Sequence, residues 1–168
     1  TIDEYTRDGM YQSGIIGRFG NRICKGKFSL NGVQYSLAIN NMPNALHGGI
    51  KGFNKVVWDA KQTGNKLELN YISPDMEEGY PGELTVKVVY ELNDNNELSM
   101  VYEATTTKPT IINLTNHTHY NLKGDTDTTI LDHKLQLFAS AFTPVDATLI
   151  PTGVIAPVEN TPLDFRTG

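Results

Sequence analysis

Alternation of apolar and polar residues with a period of two dominates this chain and predicts β-strands. Between residues 66 and 72 the apolar Leu67, Leu69 and Tyr71 alternate with Glu68 and Asn70. Side chains point alternately to the two faces of a strand, so this pattern is typical of a strand with one buried face. The sequence therefore predicts a half-buried strand at 66–72.

The same alternation returns in segments 84–92 and 98–104, on either side of the residues Asn-Asp-Asn-Asn at 93–96. Asn and Asp tolerate a left-handed backbone, which a tight loop requires. We therefore predict a β-hairpin across these segments. The weaker patterns predict further strands at 27–30, 34–38, 56–62, 109–119 and 134–139.

Glycine and proline occur along the whole length, 15 and 8 times respectively, as turn residues do in all-β proteins. Helical periodicity is hard to find. We predict an all-β fold, an antiparallel sandwich or barrel, in a single domain over residues 1–168. Two loops, 40–52 and 73–82, have the composition of specialised segments.

Charge and apolar content exclude several classes of protein. The formal net charge is −5 and Lys and Arg form no run, so we expect no nucleic-acid partner. No apolar stretch approaches the roughly 18 residues of a membrane span, so we expect no membrane partner. Cys24 is the single cysteine, which excludes an internal disulfide and favours a cytoplasmic protein. We expect Cys24 to be a small buried apolar residue.

A row of polar side chains runs along the predicted strand at 109–119. Asn113, Thr115, His117 and His119 share one face, and apolar residues such as Leu114 share the other. A polar row inside an all-β core is unusual unless it lines a pocket. The strand is therefore a candidate for one wall of a binding site.

Three interpretations of the His117–His119 pair remain open. The two histidines could be satisfied by hydrogen bonds and have no function. They could ligate a metal with a third residue such as His47 or His133, but no carboxylate follows at short fixed spacing, so we predict no metal. They could act in acid–base catalysis or sugar binding, because an unperturbed imidazole titrates near pH 6.5.

Other polar residues stand beside glycines. His47 precedes two glycines, which permit either close approach of the backbone to a ligand or a tight turn. Asn21 and Arg22 follow a glycine-rich segment. The guanidinium of Arg22 could bind hydroxyls or a carboxylate, or form a surface ion pair.

Taken together, these segments resemble the aldose 1-epimerases, or galactose mutarotases. The resemblance is collinear over almost the whole chain and rests on GRFGNRI (17–23), GKFSLNGVQYSL (26–37), NNMPNALHGG (40–49), EEGYPGELTVKVVY (77–90), INLTNHTHYNL (112–122), FTPVD (142–146), IPTG (150–153) and DFR (164–166). It implies an antiparallel β-sandwich of the galactose mutarotase-like type and a reaction that needs no cofactor. The implied activity is the interconversion of the α and β anomers of free aldohexoses such as galactose and glucose.

The resemblance also implies residue roles. His117 corresponds to the general acid, and His47, Asn21 and Arg22 correspond to substrate-binding residues. His119 stands where the family commonly carries tyrosine, and we expect it to be a polar contact to the substrate.

The general base of the family is a glutamate near the C-terminus, and no carboxylate of this chain matches its motif. A complete family domain is about twice this length, so we expect a partial sandwich here. The base would then come from outside this chain, for example from a complementing C-terminal segment, and self-association is also expected. The alternative is a non-catalytic carbohydrate-binding module or an inactive fragment of the same fold.

Overall fold

The computed structural model describes residues 11–124 and 129–167, and no α-helix occurs among them. The strands are β1 (Ile15–Ile16), β2 (Arg22–Ile23), β3 (Lys27–Leu30), β4 (Val33–Ser36), β5 (Ala45–Leu46), β6 (Asp59–Thr63), β7 (Lys66–Ser73), β8 (Leu84–Leu92), β9 (Leu98–Thr106), β10 (Thr115–Asn116), β11 (Ala141–Phe142) and β12 (Ala156–Pro157). Single 3₁₀ turns lie at Cys24–Gly26, Phe53–Lys55 and Glu77–Gly79.

The prediction of an all-β, antiparallel fold is confirmed. The largest sheet has the order β6-β7-β8-β9, and the other strands pair as β1-β10, β2-β5, β3-β4 and β11-β12. Each of these ladders is antiparallel. Across the described ranges, no helix is long and apolar enough to cross a membrane.

The chain divides into two compact units, 1–117 and 118–168. The first unit contains β1 to β10 and both clusters of buried apolar residues described below. In the second unit β11 pairs with β12, and the carboxylate of Asp146 accepts hydrogen bonds from the amides of Thr148 (2.7 Å) and Ile150 (3.1 Å). A single domain over residues 1–168 stays a prediction.

The predicted hairpin is confirmed. Leu92 at the end of β8 pairs with Leu98 at the start of β9. In the loop between them the side-chain oxygen of Asn93 accepts hydrogen bonds from the amides of Asn95 and Glu97, both at 3.0 Å. Asn therefore closes this loop with its own side chain, as its composition indicated.

The period-two pattern correctly marks the buried face of β8. Leu84, Val86 and Val88 are each no more than 1% exposed, whereas Thr85 between the first two is exposed. With Ile15 and Phe53 these three residues form one core cluster. A second cluster consists of Ile23, Leu37, Ala45 and Tyr80.

The predicted strand at 109–119 is wrong over most of its length. Only Thr115–Asn116 is a strand, pairing antiparallel with β1, while Asn113 forms an isolated parallel bridge to Phe19. Asn113 donates to the Arg18 carbonyl (2.9 Å) and accepts from the Gly20 amide (2.7 Å), which is the parallel pattern and does not extend the antiparallel β1–β10 ladder. The alternation of faces still holds locally, because Leu114 packs against the first core cluster and Asn116 binds the Tyr90 hydroxyl at 2.9 Å.

Two other predictions also need correction. Residues 134–139 form no strand. A backbone hydrogen bond from the Leu137 amide to the Phe165 carbonyl (2.8 Å) is too little for a ladder. Cys24 is exposed, not buried. Strand β2 ends at the buried Ile23, and the 3₁₀ turn that follows carries Cys24 outward.

A buried guanidinium joins β1 to the loop at 73–82. Arg18 is only 2% exposed, and its two terminal nitrogens donate to the carbonyls of Ser73 (3.0 Å), Pro74 (2.6 Å), Pro81 (3.1 Å) and Gly82 (2.6 Å). Its Nε donates to the Ser73 hydroxyl at 2.9 Å. Ser73 ends β7, whereas Pro74, Pro81 and Gly82 belong to an irregular loop that forms no ladder, so Arg18 offers their carbonyls donors that a strand would otherwise supply.

The charge of Arg18 is balanced inside the same cluster. The Ser73 hydroxyl donates to the Glu77 carboxylate, which also accepts from the Tyr71 hydroxyl at 2.6 Å. Burial lowers the pKa of Arg18, and the nearby Glu77 and Asp75 oppose that shift. The cluster therefore holds a buried cation with both hydrogen-bond acceptors and countercharge.

Replacing Arg18 with Met should lower the free energy of unfolding by about 3–5 kcal/mol, because the variant loses the hydrogen bonds from Arg18 to the carbonyls and leaves Glu77 without its buried countercharge. Urea unfolding followed by Trp58 fluorescence measures this. Arg166→Met is the matched control, since Arg166 is exposed and paired with Asp164 on the surface. Equal stability of the Arg18 variant and the wild type would contradict this account of the loop.

Candidate functional site

Pairing of β2 with β5 brings the segment Asn21-Arg22 beside the turn that begins at Leu46. Arg22 lies opposite Leu46 in this ladder, and the His47 amide donates to the Asn21 carbonyl at 3.1 Å. Three of the residues predicted from sequence, Asn21, Arg22 and His47, are therefore neighbours in the structure.

The ring of His47 is fixed by a backbone donor. The Asn21 amide donates to Nδ1 of His47 at 2.9 Å, so Nδ1 must be unprotonated and the proton of the neutral ring lies on Nε2. The backbone of His47 is left-handed, with φ of 52°. The following Gly48 has φ of 88°, and a Cβ there would lie 1.8 Å from the Gly17 carbonyl oxygen. Glycine is thus required for close packing of this turn, one of the two alternatives left open by the sequence.

The ring of His117 lies beside that of His47, although the two residues follow strands of different pairs. His117 follows β10, and its backbone bonds to Gly14 and Ser13 (3.0 and 3.2 Å) continue the pairing with β1. The ring centroids of His47 and His117 are 5.1 Å apart, and their planes are nearly perpendicular at 88°. Two imidazoles distant in sequence therefore share one site.

Tyr11 is a third ring at this site, and the sequence pattern did not single it out. Its centroid lies 4.8 Å from that of His47 and 5.9 Å from that of His117. Burial raises the pKa of Tyr11, so its hydroxyl stays protonated at neutral pH. Tyr11 therefore adds a neutral aromatic wall beside both imidazoles.

The environment of His47 favours the uncharged ring. Burial, followed by the charges of His117 and Arg22, lowers the pKa of His47 from 6.5 to about 4. The Asn21 amide acts in the same direction, because it donates to a lone pair that only the neutral ring offers. At neutral pH His47 can therefore donate a hydrogen bond from Nε2 but cannot supply a positive charge.

Arg22 is held by amide oxygens. Its Nε donates to Asn41 at 3.0 Å and one terminal nitrogen donates to Asn21 at 3.3 Å. Because both partners are neutral, neither balances the charge of the guanidinium. The guanidinium can therefore still bind hydroxyl groups. The contacts differ from the surface ion pair that the sequence left as an alternative.

Asn40 organises the turn that carries His47, a role that sequence reasoning missed. Its side-chain nitrogen donates to the carbonyls of Leu46 and Gly49, both at 2.8 Å, and its oxygen accepts from the Leu46 amide at 2.7 Å. The motif at 40–49 contains Asn40, but nothing in its composition distinguishes this residue from its neighbours.

The remaining predicted residues are less tightly placed. Asn113 donates from its side chain to the Gly20 carbonyl at 3.0 Å, so this member of the polar row supports the backbone. His119 lies in the second unit and is exposed. His133, considered as a third metal ligand, accepts a hydrogen bond at Nε2 from the Leu122 amide at 3.0 Å. Within the described parts of the chain, no three His, Cys, Asp or Glu residues cluster as a metal site would require.

Comparison with known proteins identifies the family. A sequence model of the aldose 1-epimerase family matches residues 1–168. The chain belongs to the aldose 1-epimerase family. The resemblance inferred from the motifs is thereby confirmed over the entire length of the chain.

Curated relatives in this family include galactose mutarotases and aldose 1-epimerases. The chain is 50% identical over 165 residues to galactose mutarotase of Sus scrofa, covering 98% of this chain and 48% of the pig protein. It is 36% identical over 163 residues to aldose 1-epimerase of Escherichia coli, covering 96% of this chain and 47% of that protein. The chain thus spans about half the length of the curated relatives it matches.

Solved structures of the family have the same fold. An aldose epimerase homologue from C. elegans superposes with a TM-score of 0.93 at 35% identity, covering 100% of this chain and 51% of that one. Galactose 1-epimerase from Lactobacillus acidophilus gives a TM-score of 0.85 at 30% identity, covering 99% and 50%. The predicted mutarotase-like fold is therefore confirmed.

The low pKa of His47 has a consequence for stability. Between pH 6.5 and about 4 the unfolded chain protonates His47 while the folded chain does not, so stability should fall as pH falls through this window. We expect a loss of about 1–2 kcal/mol from this group, because solvent reaches part of the ring.

His47→Asn tests this expectation, because the Asn oxygen can accept from the Asn21 amide but does not titrate. Urea unfolding at pH 6.5 and pH 4.5 should show a smaller loss of stability in the variant than in the wild type. Carboxylates titrate alike in both proteins and cancel in the difference. If the wild type and the variant lost the same stability between these pH values, His47 would not be a buried, neutral ring in the folded chain.

Proposed function

We propose that this chain supplies the acid side of an aldose 1-epimerase site, which interconverts the α and β anomers of free aldohexoses such as galactose and glucose. The observation that carries the proposal is the meeting of His47 and His117, 5.1 Å apart, beside Asn21 and Arg22. The membership of the chain in the aldose 1-epimerase family supports the reaction class.

The reaction needs two proton carriers. A base removes the proton from the C1 hydroxyl, the bond between C1 and the ring oxygen breaks, and an acid protonates the ring oxygen. Rotation about C1–C2 and closure then give the other anomer. A positioned acid or base contributes typically about 10²–10⁴ in rate.

His117 is the proposed acid. His47 is neutral at pH 7, so of the two facing imidazoles His117 is the one left to carry the transferable proton. Its amide and its carbonyl are both hydrogen-bonded, to Gly14 and from Ser13, which limits its movement. A fixed donor of this kind is what protonation of the ring oxygen requires.

His47, Asn21 and Arg22 are the proposed substrate-binding residues. The Nε2–H of His47 is a neutral donor suited to a sugar oxygen, and the Arg22 guanidinium offers several donors to hydroxyl groups. His119 is proposed as an additional polar contact, on the family resemblance alone.

The general base is proposed to be a carboxylate from outside these 168 residues, supplied by a complementing C-terminal segment. Free hexose is the proposed substrate, and no cofactor takes part. Self-association and a cytoplasmic location stay predictions. What supports an outside base is that, among the described residues, the side chains that perturb the pKa of His47 are His117 and Arg22, and neither is a carboxylate.

Polarimetry on freshly dissolved α-D-galactose tests the proposal. The 168-residue chain alone should leave the rate of mutarotation at its buffer value. A hybrid that joins this chain to the segment of pig galactose mutarotase following the matched region should raise the rate well above buffer. An active chain alone would contradict an outside base. A folded hybrid that binds galactose without activity would favour the alternative, a non-catalytic carbohydrate-binding module.

In the active hybrid, His117→Ala should reduce turnover by about 10²–10⁴ while leaving the unfolding midpoint nearly unchanged, because the acid is lost but the β1–β10 backbone pairing remains. His133→Ala is the matched control, since the ring of His133 contacts the Leu122 amide and the Asp132 carboxylate and not the pair His47 and His117. Wild-type turnover in the His117 variant would rule out His117 as the acid.

A further inference from the structure

A carboxylate from the loop at 73–82 holds the turn that carries His47. The two oxygens of Glu78 accept hydrogen bonds from the amides of Ile50 and Lys51, each at 2.9 Å. These amides lie three and four residues after His47, in the same turn. One anionic side chain thus binds two consecutive backbone donors, a strong charge-assisted arrangement.

The backbone conformation at Glu78 indicates that the structure requires a carboxylate at this position. Glu78 is left-handed, with φ of 51°, a conformation that favours Gly or Asn over Glu. The neighbouring turn accommodates the carboxylate, because Gly49 has φ of 113° and a Cβ on it would lie 2.2 Å from a Glu78 oxygen. Both segments therefore adopt backbone conformations that bring the carboxylate onto the amides.

Arg18 fixes the loop that carries Glu78. Arg18 binds the carbonyls of Pro74 and Gly82, which flank the 3₁₀ turn Glu77–Gly79. Arg18 belongs to the same short segment as Asn21, whose amide binds Nδ1 of His47. Arg18 therefore binds the loop that carries Glu78, and Glu78 binds the turn that carries His47. His47 in turn accepts from Asn21, three residues after Arg18.

We propose that Glu78 is a positioning residue for His47, acting through the amides of Ile50 and Lys51 to keep the imidazole on the Asn21 amide. Glu78 does not touch the ring, and its charge is not among those that perturb it. The proposal deepens the proposed function and rests on it in treating His47 as a sugar-binding residue.

Nuclear magnetic resonance on the 168-residue chain with ¹⁵N-labelled histidine tests the proposal without any activity measurement. In the wild type the Nδ1 resonance of His47 should be that of an unprotonated nitrogen from pH 8 to below pH 5. Glu78→Gln keeps the size of the side chain but leaves a single neutral accepting oxygen for the two amides. The ring of His47 should then leave the Asn21 amide and become more exposed to solvent. Its titration midpoint should then rise by about one pH unit toward 6.5.

The sign of the change separates positioning from a direct charge effect. Loss of a nearby negative charge would by itself lower the midpoint of a histidine, whereas loss of the Asn21 bond and of burial raises it. Among the described residues, the charged or titratable groups around the ring are Tyr11, His117 and Arg22, and all three are unchanged in the variant. Amide exchange of Ile50 and Lys51 should accelerate at least about tenfold in the same sample.

Glu83→Gln is the matched control, because it removes one exposed carboxylate near the same loop without touching the turn. It should leave both the His47 titration and the two amides unchanged. A His47 midpoint unchanged or lowered in Glu78→Gln would overturn the proposal. So would global unfolding of Glu78→Gln and Glu78→Ala, because Glu78 would then support the whole fold instead of one ring. Polarimetric failure of the hybrid would reject the proposed function but leave these spectra interpretable.

Discussion

The buried guanidinium of Arg18 is the constraint on which the site depends. A cation at 2% exposure is costly unless its donors are satisfied, and here the acceptors are carbonyls at both ends of the loop at 73–82. The same contacts satisfy carbonyls in a loop whose residues 74–82 form no ladder. The hydrogen bonds thus offset the burial of the guanidinium and of the carbonyls, and they place Glu78 against the turn that carries His47.

The two imidazoles of the site differ because their surroundings differ. His47 accepts a backbone hydrogen bond, is partly buried and lies near His117 and Arg22, all of which favour its neutral form. His117 lies 5.1 Å away on a different segment, where it is the proposed proton donor. Two positive charges side by side would repel each other, and a neutral His47 avoids this. The proposed roles, sugar binding by one ring and proton transfer by the other, are compatible with this arrangement.

Regular alternation was a reliable guide where strands are long and pair over many residues. β7, β8 and the hairpin to β9 follow the predicted pattern, because one face of β8 is buried and Leu69, Tyr71 and Tyr102 of its neighbours pack against the same core cluster. At 109–119 the same pattern misled, because the bridge at Asn113 is parallel and Thr115–Asn116 alone forms an antiparallel ladder. The exposure of Cys24 and the lack of a strand at 134–139 have the same origin: residue type does not reveal which backbone partner is within reach.

The sequence by itself determined the all-β class and the family, because strand period and ordered motifs are local properties. It also singled out Asn21, Arg22, His47 and His117 as candidate site residues. Only the tertiary structure decided which nitrogen of His47 carries the proton, since that depends on the Asn21 amide reached by pairing β2 with β5. Tyr11, Asn40 and Glu78 likewise became visible only through their contacts. Burial and hydrogen bonding between distant segments set the charge of a side chain, and neither is written in its local sequence.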